Sequence, residues 1–241
     1  MATSSNTLHL RTDDENAVMR AYGTLLRRQG WRLRTSDGIP HYLETKDDPA
    51  FRRVLVSRPM NGWITIIDQQ FDDQRLEVID GVTAETSKAL RCPAISLVMV
   101  EGEALYLFAW HRGERLDRWC SWPGWYSDKP VPESVKISWQ GHPHHLLALC
   151  RPGIPETQVR AIVRDWSTPS DTGIVFAETL LCQLQDAFAL EGGPRTYAML
   201  YQKPAVLYLA VPNAPEPVAL TANAADDTYW AAFTHLHFIN L

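Results

Sequence analysis

The residues best suited to chemistry in this chain are His142, His144 and His145, held in the string His142-Pro143-His144-His145. A histidine pair separated by one residue can present two imidazole nitrogens to one metal ion from the end of a strand. The set is incomplete as it stands. A metallo-β-lactamase-like pattern continues with an aspartate and a histidine, but Leu146 and Leu147 follow here, and no βα-barrel rhythm supports an amidohydrolase. His235 and His237 are the further histidines that folding would have to bring in. Partly exposed histidines at a helix start explain the string at less cost. The metal reading, a metal-dependent hydrolase or a small-ligand protein using His142, His144 and His145 in a pocket between two parts of the chain, is therefore the alternative.

Other chemistries find less support. Asp68, Asp72 and Asp73 gather at a strand-to-helix junction, where carboxylates hold magnesium in some phosphatase-like folds, but no aspartate-x-aspartate signature is present. Helix capping and solvation account for them. Glu101 and Glu103 flank a glycine, as a solvated turn does, and are not read as a paired acid and base. There is no G-x-S-x-G elbow, Walker loop or dinucleotide glycine fingerprint, so neither a catalytic residue nor a cofactor is expected. The four cysteines, Cys92, Cys120, Cys150 and Cys182, form no C-x-x-C pair and read as reduced, mostly buried thiols.

The remaining concentration of unusual residues is aromatic. Trp110, Trp119, Trp122, Trp125 and Tyr126 crowd a short stretch around the loop Cys120-Ser121-Trp122-Pro123-Gly124-Trp125. Such side chains offer large apolar area with a polar handle at low entropy cost, which suits a partner's hot spot. The competing account is that they cover the sheet, since nine tryptophans must mostly be buried somewhere. The binding reading assigns the contact surface to Asp117, Trp119, Trp122, Trp125, Tyr126 and Asp128.

Composition narrows the partner. A formal net charge of -5 disfavours nucleic acid, whose binding depends on Lys and Arg displacing phosphate counterions. No apolar run approaches the roughly 18 to 20 residues that cross a bilayer, and no basic-then-apolar leader opens the chain. A cytoplasmic protein with no membrane or nucleic-acid partner is expected, with the number of copies left open. At 241 residues and 45% hydrophobic, the chain can bury roughly 70 to 75% of its unfolded surface.

The elements that must position these residues follow from periodicity. Residues 8–11 read as a strand, and Thr12 with Glu15 as a capping box opening a helix whose stripe is Val18, Tyr22, Leu25 and Leu26 and whose stop is Gly30. Residues 31–34 and 41–44 read as strands, and Asn61-Gly62 as the turn of a hairpin between residues 53–58 and 63–68. A helix with Leu76, Ile79, Val82, Thr86 and Leu90 on one face follows over residues 73–91. Residues 94–100 and 104–110 form a hairpin expected at the centre of the sheet, and residues 115–120 an edge strand. Beyond, residues 144–150, 155–166, 174–190 and 226–237 read as helices, and residues 205–211 and 218–221 as strands.

From Gly62 to Tyr126, the order GWITIID, helix, PAISLVMV, strand and LDRWCSWPGWY resembles a pattern in uncharacterised bacterial cytoplasmic proteins. That resemblance implies a bacterial, cytosolic setting and no activity. The fold expected is α+β, an antiparallel sheet with packed helices followed by a helix-richer C-terminal part, divided at the proline-containing connection into residues 1–129 and 130–241. The function expected is non-catalytic binding of another protein, of an immunity or regulatory type.

Overall fold

The structure, a computed structural model, describes residues 4–33, 50–127, 129–163 and 177–190 in full and residues 233–240 by their backbone. The strands expected over residues 41–44, 205–211 and 218–221 lie outside the described residues. The fold is α+β. Among the described residues, eight strands form one sheet, β1 (Ser5–Leu10), β2 (Trp31–Leu33), β3 (Phe51–Ser57), β4 (Ile64–Asp68), β5 (Pro93–Val100), β6 (Ala104–His111), β7 (Glu114–Cys120) and β8 (Phe233–Asn240), in the order β2-β8-β3-β4-β1-β5-β6-β7 with every neighbouring pair antiparallel.

Strand β1 (Ser5–Leu10) leads into helix α1 (Glu15–Arg28), which buries Val18, Tyr22, Leu25 and Leu26 as its periodicity predicts. Its cap differs from expectation. Asp14 takes the N-cap place and accepts from Ala17 N at 2.8 Å, while Thr12 Oγ1 accepts from Asp14 N at 3.2 Å. The helix begins at Glu15, so Asp14 is the residue placed to cap its third amide, that of Ala17, whereas a box opened by Thr12 would have capped the amide of Glu15. After β2 (Trp31–Leu33), strands β3 (Phe51–Ser57) and β4 (Ile64–Asp68) form the Asn-Gly hairpin. Asn61 at φ 53° and Gly62 at φ 78° supply the two left-handed residues that such a turn requires.

A 3₁₀ turn, Gln69–Asp73, precedes α2 (Leu76–Leu90). Strands β5 (Pro93–Val100), β6 (Ala104–His111) and β7 (Glu114–Cys120) then form a meander. Strand β7 is an edge strand, as its weaker pattern predicts. Strands β5 and β6 are not the centre: β4 and β1 occupy it. The apolar runs of β5 and β6 reflect burial on both faces, a pattern common in parallel sheets and met here in an antiparallel one.

Both faces are covered because helices pack on each. Positions such as Leu8, Val54, Ile66, Val98 and Phe108 meet α1 and α2. Positions such as Ile95, Leu97, Leu107 and Trp119 meet the second layer. That layer consists of α4 (Pro143–Leu147), α5 (Glu156–Ile162) and α6 (Ala177–Phe188). Helix α3 (Glu133–Ser138) buries none of its residues.

The helix expected over residues 226–237 is overturned from Phe233 onward, where the chain is strand β8 (Phe233–Asn240), paired with both β2 and β3. Thr234, Leu236 and Phe238 alternate with His235, His237 and Ile239, so a period of two was available and two waiting strands used it. The sheet therefore draws strands from both sides of the 129/130 division. No helix among the described residues is long and apolar enough to cross a membrane.

Candidate functional site

The chain leaving edge strand β7 carries the features that the sequence singles out, and it folds back along that edge. Cys120 N donates to Trp139 O at 3.2 Å, and Arg118 Nε donates to Ser138 O at 2.5 Å with its guanidinium 4.9 Å from the Trp139 ring. Blunting an edge in this way protects it from adventitious strand pairing. Between Cys120 and Trp139 the chain bulges outward as an aromatic ledge.

The ledge has an anchored root and an exposed rim. Trp125 is half-buried against the α1–α2 layer, with Trp122 edge-on to it at 5.3 Å between ring centroids. Tyr126 stacks on Tyr106 of β6 at 6.4 Å, and Trp139 meets the same Tyr106 edge-on at 5.4 Å. Burial first, and the Glu101 carboxylate second, raise the Tyr126 phenol above its ordinary range. The rim consists of Trp122 (47% exposed), Tyr126 (62%), Val135 (37%) and Ile137 (60%), which are all the exposed large hydrophobics among the described residues. Four such side chains within sixteen residues are unlike the single scattered apolar residues of an ordinary surface.

Two of the residues expected on this surface are withdrawn from it. Asp117 and Trp119 are buried, at 5% and 1% exposure, because beyond the bulge opposite Ala109 and Trp110 the alternation of β7 turns these two positions inward, Trp119 into the α4–α6 layer and Asp117 onto His142. Trp110 is also engaged inward: its Nε1 donates to Asp80 at 2.7 Å, and Arg115 lies 4.7 Å over its ring. Asp128 lies outside the described residues.

The histidine string does stand at a helix start, and it has a partner that the sequence hides. Asp117, its side chain 2% exposed, accepts from Arg118 N at 2.9 Å and from His142 N at 2.6 Å. Its Oδ1 also lies 3.0 Å from His142 Nδ1. His145 follows one turn later, its ring centroid 5.2 Å from that of His142, and each of Asp117, His142 and His145 offers a ligand atom within 4.8 Å of the others. The His144 ring lies tilted against that of His145, 4.1 Å between centroids, but His144 is not in that set. Gly141 makes the approach possible. A Cβ there would overlap Val163 Cγ1 and stand 3.1 Å from Trp119 Cβ.

The acidic trio does not converge. Asp68 is buried on β4, where Arg52 holds it by Nε at 2.9 Å and Nη2 at 2.7 Å and the Tyr22 hydroxyl donates at 2.6 Å. Burial and then Asp68 raise the Tyr22 phenol; burial works against the Arg52 charge, but Asp68 and Tyr22 outweigh it and raise its pKa. Asp73 pairs at the surface with Arg75. Glu101 and Glu103 sit exposed on the β5–β6 turn. Burial pushes the thiols of Cys92 and Cys150 up to about 11 and that of Cys120 up to about 12, so none of these three is a poised nucleophile.

Sequence reasoning found the ledge and the histidines but missed Val135, Ile137 and the role of Asp117. The His-x-x-His spacing of His142 and His145 at a helix start is a legible signal; a carboxylate 25 residues earlier in an edge strand is not. No protein-family model matches the chain, nor does any curated protein or solved structure.

Proposed function

We propose that the protein is a non-catalytic cytoplasmic binding module whose ledge, formed by Trp122, Tyr126, Val135 and Ile137, receives an apolar face of another protein. The observation that carries this is the confinement of the exposed large hydrophobics, among the described residues, to the one connection between β7 and α4. Trp125 and Trp139 hold the ledge from beneath, so its rim is presented with little conformational entropy left to lose on contact. Apolar contact rather than charge dominates the affinity. Although the chain is acidic overall, this stretch mixes both signs, with Lys129 beside the Lys136–Glu133 pair in sequence and that pair closed at 3.3 Å. An immunity or regulatory role is the setting that such a module suits.

The test compares the chain with a Trp122→Ser/Tyr126→Ser/Ile137→Ser variant, whose altered side chains are exposed and leave the core intact. Each is immobilised and mixed with bacterial cytosolic lysate at low and at high salt, and any retained protein is purified and titrated. Retention that survives high salt and weakens at least about thirtyfold in the variant is expected, the effect of losing one hot spot of ~2 kcal/mol. Identical retention by both proteins sinks the reading. A concentration-dependent dimer seen by light scattering, and lost in the variant, would give the ledge to a second copy of this chain instead.

A further inference from the structure

We infer that Asp117, His142 and His145 form a binding site for a first-row divalent metal of the zinc class, with three protein ligands and an open coordination position. The inference goes beyond the ledge and does not depend on it.

The donor set is the first argument. Two imidazoles and one carboxylate suit zinc, cobalt or nickel, whereas magnesium and calcium call for oxygen ligands throughout. Geometry is the second. Zinc bonds of roughly 2.0 to 2.2 Å to such ligands place neighbouring donor atoms about 3.3 Å apart in a tetrahedron. Asp117 Oδ1 and His142 Nδ1 already stand 3.0 Å apart, and all three donor atoms lie within 4.8 Å of one another. The His145 side chain is exposed, which leaves its ring room to turn toward the other two donors.

Preorganisation is the third argument. Asp117 is almost fully buried, and two backbone amides, of Arg118 and His142, fix the orientation of its carboxylate. Outer-sphere hydrogen bonds of this kind are what hold a ligating carboxylate in place. His142 and His145 supply the opposite property. Both are exposed, giving the ion an entry path and leaving a coordination position to water or to a ligand group. A bound ion would join β7 to the start of α4 through side chains, adding a cross-link beside the Asp117–His142 hydrogen bonds and the packing of Trp119 on Leu146.

The experiment uses the full chain without a histidine tag, stripped by chelator and titrated with Co²⁺, then with Zn²⁺ in competition. One equivalent of Co²⁺ is expected to give the intense visible absorption of a four- or five-coordinate ion, displaced by Zn²⁺. His145→Ala should weaken binding by at least about a hundredfold, beyond the loss typical of removing an outer-sphere partner. His144→Ala should bind within about threefold of the parent on that scale. Because Asp117 also supports the backbone, Asp117→Asn is read only alongside a thermal melt, and His145→Ala is the deciding variant. The site is overturned by weak six-coordinate absorption, by His145→Ala binding as tightly as the parent, or by a loss that follows His144 alone.

Discussion

His9 makes the stability of this protein fall with acid in a way that can be worked out from its surroundings. It lies on β1, 1% exposed, with Nε2 2.9 Å from Thr7 Oγ1 and Nδ1 2.9 Å from Thr65 Oγ1. Two neutral hydroxyls satisfy a neutral imidazole but give nothing to offset a buried charge, so burial lowers its pKa from 6.5 to about 3. The folded state thus binds fewer protons than the unfolded chain between those values. Stability is fully present above the unfolded pKa and is lost as pH falls below it, by ~1.4 kcal/mol per pH unit. At a pH of about 5 the loss is ~2 kcal/mol, and near the folded pKa it approaches ~5 kcal/mol. That is a large share of the ~5 to 15 kcal/mol that a domain has. Urea unfolding of the parent and of His9→Gln, at pH values of about 7.5 and about 5, isolates the effect because the other titrating groups are common to both. The parent should lose ~2 kcal/mol more than the variant between the two conditions. Equal losses in the two proteins would refute the assignment of a buried, uncharged His9.

Two further perturbations test how the fold holds itself and its candidate site. Asp68→Asn leaves the Arg52 guanidinium, 2% exposed, without its counter-charge and should cost about 3 to 5 kcal/mol in urea unfolding; a cost below ~1 kcal/mol would mean that the pair is not the buried unit described. Gly141→Ala places a methyl group against Val163 and Trp119 and should cost about 1 to 3 kcal/mol, read as a lower melting temperature. An unchanged melt would show that the loop before His142 is not packed as described.

Much of the architecture was legible because local signals were strong. The two left-handed residues Asn61 and Gly62 announced their hairpin, and the stripe of Val18, Tyr22, Leu25 and Leu26 announced α1. Strand β1 was only half visible. Its residues Ser5, Asn6, Thr7 and His9 are polar yet buried near the middle of the sheet, and polarity in a short segment argues for the surface. Strand β8 was hidden for another reason. Aromatic and apolar residues at residues 229–236 also fit a helical face, and only the open edges of β2 and β3 favoured the extended form.

The sequence by itself determined what is short-range: turns, helix stripes, the class of the fold, and the crowding of tryptophan after β7. Tertiary structure decided which of those side chains meet water and which meet each other. Alternation along one edge strand turned Asp117 and Trp119 inward while the loop beyond it left Trp122 and Tyr126 outside. A fold-back of the chain then brought Asp117 to His142. Contacts of that kind depend on how the chain returns to its own edge, a long-range choice that packing the second helical layer makes and residue spacing does not encode.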